Sequence, residues 1–249
     1  MMKRLILIIL IFCTAVPFSE AQLWKMKRWE ASGGLGMSQF FGDIGGYSIS
    51  KNILGIKDIS YLQTRFDFNG SLKYRITREI NARISLTAGM LHATDIRGSN
   101  EGRDYESRIL IFEPALLGEY YFIKSEMENS YRFLKSKIKA KTDFFASLDF
   151  YAFTGIGGLK YNVKGNDALV ARGLQNKGFC AVIPVGLGSN YIYSQFMNFG
   201  IELGGRYAFT DYLDGYTSQY SKANDVYYFL NFTVTYKLKT GPNGLPIFR

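Results

Sequence analysis

The chain is predicted to be all-β, an eight-stranded antiparallel transmembrane β-barrel with a polar, plugged interior. Three observations lead there. Apolar and charged residues alternate along long segments, as they must where successive side chains point to opposite faces of a strand. Those segments run well beyond the usual strand of about 5–6 residues. The chain also opens with the pattern of an export leader. Composition agrees: 26 Gly, 20 Phe and 18 Tyr in 249 residues suit tightly packed strands with an apolar exterior. One His and two Cys exclude a disulfide scaffold and a His/Cys metal cluster.

The leader comes first. In MMKRLILIILIFCTAVPFSEAQ, Lys3 and Arg4 form a basic start and Leu5 to Phe12 an apolar run. Ser19-Glu20-Ala21 then places small residues at the −3 and −1 positions, so residues 1–21 are expected to be a signal peptide. The run is too short to span a bilayer as a helix, which takes about 20 residues. Cys13 follows Phe12, where a lipoprotein signal needs a small residue. Cleavage removes Lys3, Arg4 and Glu20 and takes the net charge from +9 to +8. Cys180 is then the only cysteine, so no intramolecular disulfide can form.

Eight strands follow, at 29–41, 62–76, 82–93, 107–123, 148–161, 178–191, 198–211 and 226–238. In the second, Phe66, Phe68, Gly70, Leu72, Tyr74 and Ile76 share one face, and Arg65, Asp67, Asn69, Ser71, Lys73 and Arg75 the other. The seventh sets Phe199, Ile201, Leu203, Tyr207 and Phe209 against Asn198, Glu202 and Arg206. The last sets Tyr228, Leu230, Phe232, Val234, Tyr236 and Leu238 against Asn231, Thr233, Thr235 and Lys237. A tilted membrane-crossing strand needs about 9–11 residues, and closure leaves no backbone edge unpaired in lipid. A soluble β-sandwich has the same period; strand length, Tyr and Phe at strand ends and the leader favour the barrel. The barrel domain is placed at 22–238, with a short tail at 239–249 on the periplasmic side.

The charged face is then the interior. Glu30, Arg65, Asp67, Lys73, Arg75, Arg83, Glu113, Glu119, Lys160, Glu202 and Arg206 are expected there, acids and bases in near balance and paired. Short turns at Thr77-Arg78-Glu79 and Ser194-Gln195 are assigned to the side of the termini, and longer outer loops to 42–60, 94–106, 162–177 and 212–225. The connection 124–147 is long although it belongs to the short-turn side. Lys124, Arg132, Lys135, Lys137, Lys139 and Lys141 make it a candidate contact for a periplasmic partner or for anionic headgroups. An exported chain meets no nucleic acid.

Little in the sequence reads as chemistry. His92 is the only histidine and the only candidate base for a lipid-hydrolysing barrel, and no G-x-S-x-G accompanies it. Gly33-Gly34-Leu35-Gly36 lacks the Lys-Ser/Thr of a phosphate loop and reads as a place of close strand approach. Cys180 reads as a small packed apolar group. No enzyme, cofactor or metal site is expected.

Four segments in order, GGLGMSQFFGDIGG (33–46), FYAFTGIGGLKYN (150–162), FGIELGGRYAFTDYLD (199–214) and NDVYYFLNFTVTYKL (224–238), carry a resemblance. Together they resemble the PorG-like family, the outer-membrane barrel subunit of the type IX secretion system, over about 29–238. The matching positions are Gly42, Asp43, Gly45, Gly46, Arg206, Thr210, Asp211, Tyr212 and Asp214. The resemblance implies a non-enzymatic barrel in outer-membrane lipid, anchoring a periplasmic ring made of a lipoprotein and its partner protein for protein export, and for gliding in some bacteria. No family pattern covers 124–147. The other two readings are a small OmpX-like barrel with an adhesion or envelope-structural role, and a lipid-modifying enzyme.

Overall fold

The computed structural model describes residues 27–45, 59–96, 101–125, 145–217 and 224–247. The expected leader lies outside the described residues. Eight strands run β1 (Trp29–Phe41), β2 (Arg65–Arg75), β3 (Ile80–Thr94), β4 (Glu106–Ile123), β5 (Leu148–Gly165), β6 (Lys177–Ile192), β7 (Met197–Ala208) and β8 (Val226–Thr240). Each pairs antiparallel with the next, and β1 also pairs with β8 from Trp29↔Leu238 to Phe41↔Val226, so the sheet closes on itself. A single closed ring of strands rules out two stacked sheets.

Alternation sets which side is which. Phe66 and Phe68 are 67% and 63% exposed, while Asp67 between them is 0% exposed. The same holds around the ring: Leu35, Ile84, Leu116, Ile156, Leu187, Leu203 and Phe232 all point outward and are exposed. A continuous apolar belt outside and buried charge inside is the inverse of a water-soluble protein. It is the surface of an outer-membrane-type barrel, wetted by hydrocarbon.

Two short hairpins close the end that carries the termini. The Ile76 amide donates to the Ile80 carbonyl at 3.0 Å, and the Tyr193 amide to the Met197 carbonyl at 3.2 Å. β4 and β5 are also joined at that end. Past β8 the chain turns back, and β9 (Pro246–Ile247) pairs with Lys239 and Thr240. The expected tail is therefore partly a hairpin, held by the Trp29 indole N–H donating to the Gly244 carbonyl at 2.9 Å.

At the opposite end the structure departs from the sequence reading. Where 162–177 was expected to be loop, β5 continues to Gly165 and a helix follows, α1 (Asp167–Gly173). Asn166 caps it by accepting from the Leu169 amide at 3.1 Å. Leu169 is fully buried and drops into the barrel mouth. There it joins Ile44, Leu91, Ile109, Ile111, Leu159, Tyr161, Val163, Leu213, Tyr227 and Phe229 in one apolar cluster. The interior is thus layered, with charges in the half nearer the termini and a hydrophobic core under the loops.

That layering corrects one interior assignment. Lys160 is exposed, because the inward face of β5 runs Tyr151, Phe153, Leu159, Tyr161 and Val163. Here the polar face of β5, Lys160, Asn162 and Lys164, looks outward and the apolar face inward, the reverse of β2 and β7.

Candidate functional site

The charged layer assembles around an electrostatic conflict. On the inner face of the β2–β3 pair, Lys73 stands directly opposite Arg83. Like charges in that relation repel. Two carboxylates resolve it. Glu119, from the neighbouring β4, lies 3.0 Å from Lys73 Nζ and 3.1 Å from Arg83 Nη1. Glu202 reaches across the lumen from β7 to 2.5 Å from Arg83 Nη1 and 3.8 Å from Lys73 Nζ. Neutral donors join them: the Tyr151 hydroxyl donates to Glu202 at 2.6 Å, Asn81 Nδ2 donates to Glu119 at 3.1 Å, and the Tyr121 hydroxyl donates to it at 3.2 Å. Tyr121 and Tyr151 stack with centroids 4.8 Å apart.

Two further pairs flank this knot. Toward the termini, Arg75 Nη2 donates to Glu30 at 2.6 Å. Toward the loops, Arg206 Nε donates to Glu113 at 3.2 Å, and the Tyr227 hydroxyl donates to the same carboxylate at 2.6 Å. Arg206 also lies over the Phe229 ring, 4.9 Å from its centroid. Asp67 points inward as expected and packs against the glycine notches of β1 and β3; a Cβ on Gly36 would stand 2.5 Å from its Oδ1 and 1.9 Å from Asn231 Oδ1. Arg65 is half-buried and donates to the Leu62 and Thr64 carbonyls at 2.9 and 2.8 Å, apart from the knot.

A lid of loops covers the apolar layer, and the family-motif positions gather in it. Two amides beside Asp43 are held by other loops: the Ile44 amide donates to Asp214 Oδ2 at 3.1 Å and the Gly45 amide to Asp95 Oδ1 at 2.8 Å. Gly45 has φ +81, the left-handed region that glycine enters without cost. Asp214 also accepts from the Tyr216 amide at 3.0 Å, and Asp225 from the Leu213 amide at 2.8 Å. Arg103 ties the loops together by donating to Asp95 at 3.0 Å and to the Asp43 carbonyl at 2.7 Å. Thr210 accepts from the Tyr212 amide at 3.2 Å, Asp211 accepts from the Thr217 hydroxyl, and Phe40 packs under Gly42. Arg206 lies below, in the charged layer, and Gly46 lies outside the described residues. Asp214 and Asp225 are fully buried, and burial raises both carboxyls above the usual range. For Asp225 the charge of Asp214 adds to the rise.

Lys124, offered as an exposed partner contact, is largely enclosed. Its ammonium lies 3.1 Å from Asp149 and 4.0 Å from the centre of the Tyr121 ring. Arg132, Lys135, Lys137, Lys139 and Lys141 lie outside the described residues. Sequence reasoning missed Asp95, Arg103 and Asp225 in the lid, since nothing local marks an aspartate whose amide partner is in another loop. It also missed the tyrosines of the charged layer. Their signal is legible in retrospect: Tyr151 and Tyr227 sit at inward parity, where a hydroxyl needs an acceptor.

These features define a small closed barrel of outer-membrane type whose lumen is filled. No family model and no curated protein matches the chain. Among solved structures it is similar to Neisserial surface protein A at 11% identity and TM-score 0.46, covering 84% of this chain and 96% of that one. It is also similar to the outer membrane protein OprG from Pseudomonas aeruginosa at 10% identity and TM-score 0.44, covering 86% and 97%. The attachment invasion locus protein Ail of Yersinia pestis is a third, at 12% identity and TM-score 0.40, covering 85% and 97%. The likeness is one of architecture, and no role passes from these proteins to this chain.

Proposed function

We propose that the protein is a non-enzymatic outer-membrane subunit of a type IX secretion machine, anchoring a periplasmic ring of a lipoprotein and its partner to the membrane. The observation that supports this reading is the filled lumen. Ion pairs occupy one half, an apolar core the other, and a hydrogen-bonded lid caps the mouth. A barrel filled in this way among its described residues works by what its two ends hold. Most of the positions that carry the resemblance to the PorG-like family, Asp43, Gly45, Asp211 and Asp214 among them, lie at one end. The long basic connection between β4 and β5 belongs to the other, and Lys124 and Asp149 pair where it leaves and rejoins the wall.

The test replaces residues 126–144 with a short Gly-Ser turn, keeping Lys124 and Asp149. Co-purification with the ring proteins is expected to be lost while the barrel still migrates as a folded species in unboiled gels. Retained co-purification refutes the assignment. His92 Nε2 pairs with Glu106 Oε1 at 3.0 Å. On the non-enzymatic reading proposed, a His92→Ala variant leaves the membrane lipid profile unchanged; an altered profile would reinstate the lipid-modifying reading.

A further inference from the structure

The correction at Lys160 opens a question about the outside of the barrel. Lys160 is one of four cations that face outward near the loop end of three adjacent strands: Arg108 on β4, Lys160 and Lys164 on β5, and Lys177 on β6. The register makes them contiguous. Arg108 pairs directly with Lys164. Lys177 pairs with Asn162 and so stands diagonally from both Lys160 and Lys164. Diagonal neighbours on one face are about 7–8 Å apart, within reach of long side chains.

Inside the barrel the equivalent conflict, Lys73 opposite Arg83, is neutralised by two carboxylates. Outside it is not. Glu106 lies 3.1 Å from Arg108 and also bonds His92. Lys160, Lys164 and Lys177 have no carboxylate partner among the described residues. An opposed pair of like charges is unfavourable unless an anion lies between them.

The surroundings say which anion. Phe112 and Phe179 pair with Lys160 on its two sides, Leu110 stands between Arg108 and Phe112 on β4, and Ile156 lies further toward the membrane, all exposed and apolar. Elsewhere around the loop end the outward residues include Gln39, Phe41, Met90, Tyr207, Phe209 and Tyr228, none of them cationic, with Phe41 against Tyr228 and Tyr207 against Phe209. Among the described strand residues the outward cations of this end thus stand in one sector, beside the apolar belt.

We propose that Arg108, Lys160, Lys164 and Lys177 form a docking site for the phosphate groups of a phosphorylated glycolipid in the outer leaflet, whose acyl chains lie along Leu110, Phe112, Ile156 and Phe179. Charge complementarity and continuity with the apolar belt both require a ligand that is anionic above and greasy below. A soluble phosphate meets only the first requirement. The site rests on the reading that the loop end faces the cell exterior.

The experiment uses the full mature barrel in phosphatidylcholine nanodiscs containing purified lipid A, and counts bound glycolipid by native mass spectrometry. A Lys160→Gln, Lys164→Gln, Lys177→Gln variant is expected to bind about a hundredfold more weakly, at about fivefold per lysine. Heat-modifiable migration checks that it still folds. Dephosphorylated lipid A is expected to lose binding to the same extent. Wild-type binding by the variant, equal binding of the dephosphorylated lipid, or displacement by millimolar inorganic phosphate would each overturn the site. A separate arm labels Ala168→Cys in α1 with a membrane-impermeant maleimide on intact cells. No labelling there would remove the orientation itself, independently of the lipid result.

Discussion

Glu202→Gln is the sharpest perturbation of the interior. Lys73 and Arg83 are held by Glu119 and Glu202, two cations against two anions, with every side chain in the knot at most 6% exposed. The amide keeps the size of the side chain and removes its charge. It strips Arg83 of a 2.5 Å contact and Lys73 of a 3.8 Å one, and leaves the knot with an excess positive charge that no solvent screens. Breaking a buried pair by removing one partner costs about 3–5 kcal/mol, because the other charge stays buried. The assay is urea unfolding of the barrel in lipid vesicles, followed by tryptophan fluorescence and by migration of unboiled samples. A second substitution, Lys73→Met, removes the excess charge; in the double variant the cost of Glu202→Gln is expected to shrink by a coupling of about 1–3 kcal/mol. A loss below about 1 kcal/mol for Glu202→Gln, or strict additivity in the double variant, would refute the claim that these groups neutralise one another.

The other predictions concern the wall and the lid. Gly36→Ala places a Cβ 1.9 Å from Asn231 Oδ1 and 2.5 Å from Asp67 Oδ1, and should lower stability by about 1–3 kcal/mol in the same assay. Gly33→Ala, with nothing within 4 Å, should stay within about 0.5 kcal/mol. Phe68→Lys puts an ammonium on the hydrocarbon face and should cost about 2–4 kcal/mol in bilayers; an unchanged unfolding midpoint would argue that this face meets water. Asp214 and Asp225 carry raised carboxyl values in the folded lid, so their contribution to its stability is full below the ordinary carboxylate value and is lost as pH rises through the raised ones. The Ile44, Leu213 and Tyr216 amides should therefore exchange faster, relative to their intrinsic rates, as pH is raised from about 5 to about 9. Asp225→Asn, which removes the more strongly raised of the two carboxyls, should flatten that dependence.

Alternation by itself determined most of the wall. The eight strands were legible because a membrane barrel demands a strict change of medium at every residue: Phe66 and Phe68 in hydrocarbon, Asp67 inside. The inward charges of β2, β3, β4 and β7 followed from that period alone. Lys160 was misassigned and the apolar layer missed for one reason: at the loop end the polar face of β5, Lys160, Asn162 and Lys164, looks outward, and alternation carries no sign to tell out from in. Only neighbours supply it, here Leu159 and Tyr161 packing under Leu169 of α1. Partners, too, were beyond the sequence. Glu202 meets Arg83 across the lumen, 119 positions away, and Asp214 holds the Ile44 amide 170 positions away. Which acid meets which base depends on the stagger of strands around a closed ring, and that stagger is a property of the whole barrel, written in no single segment.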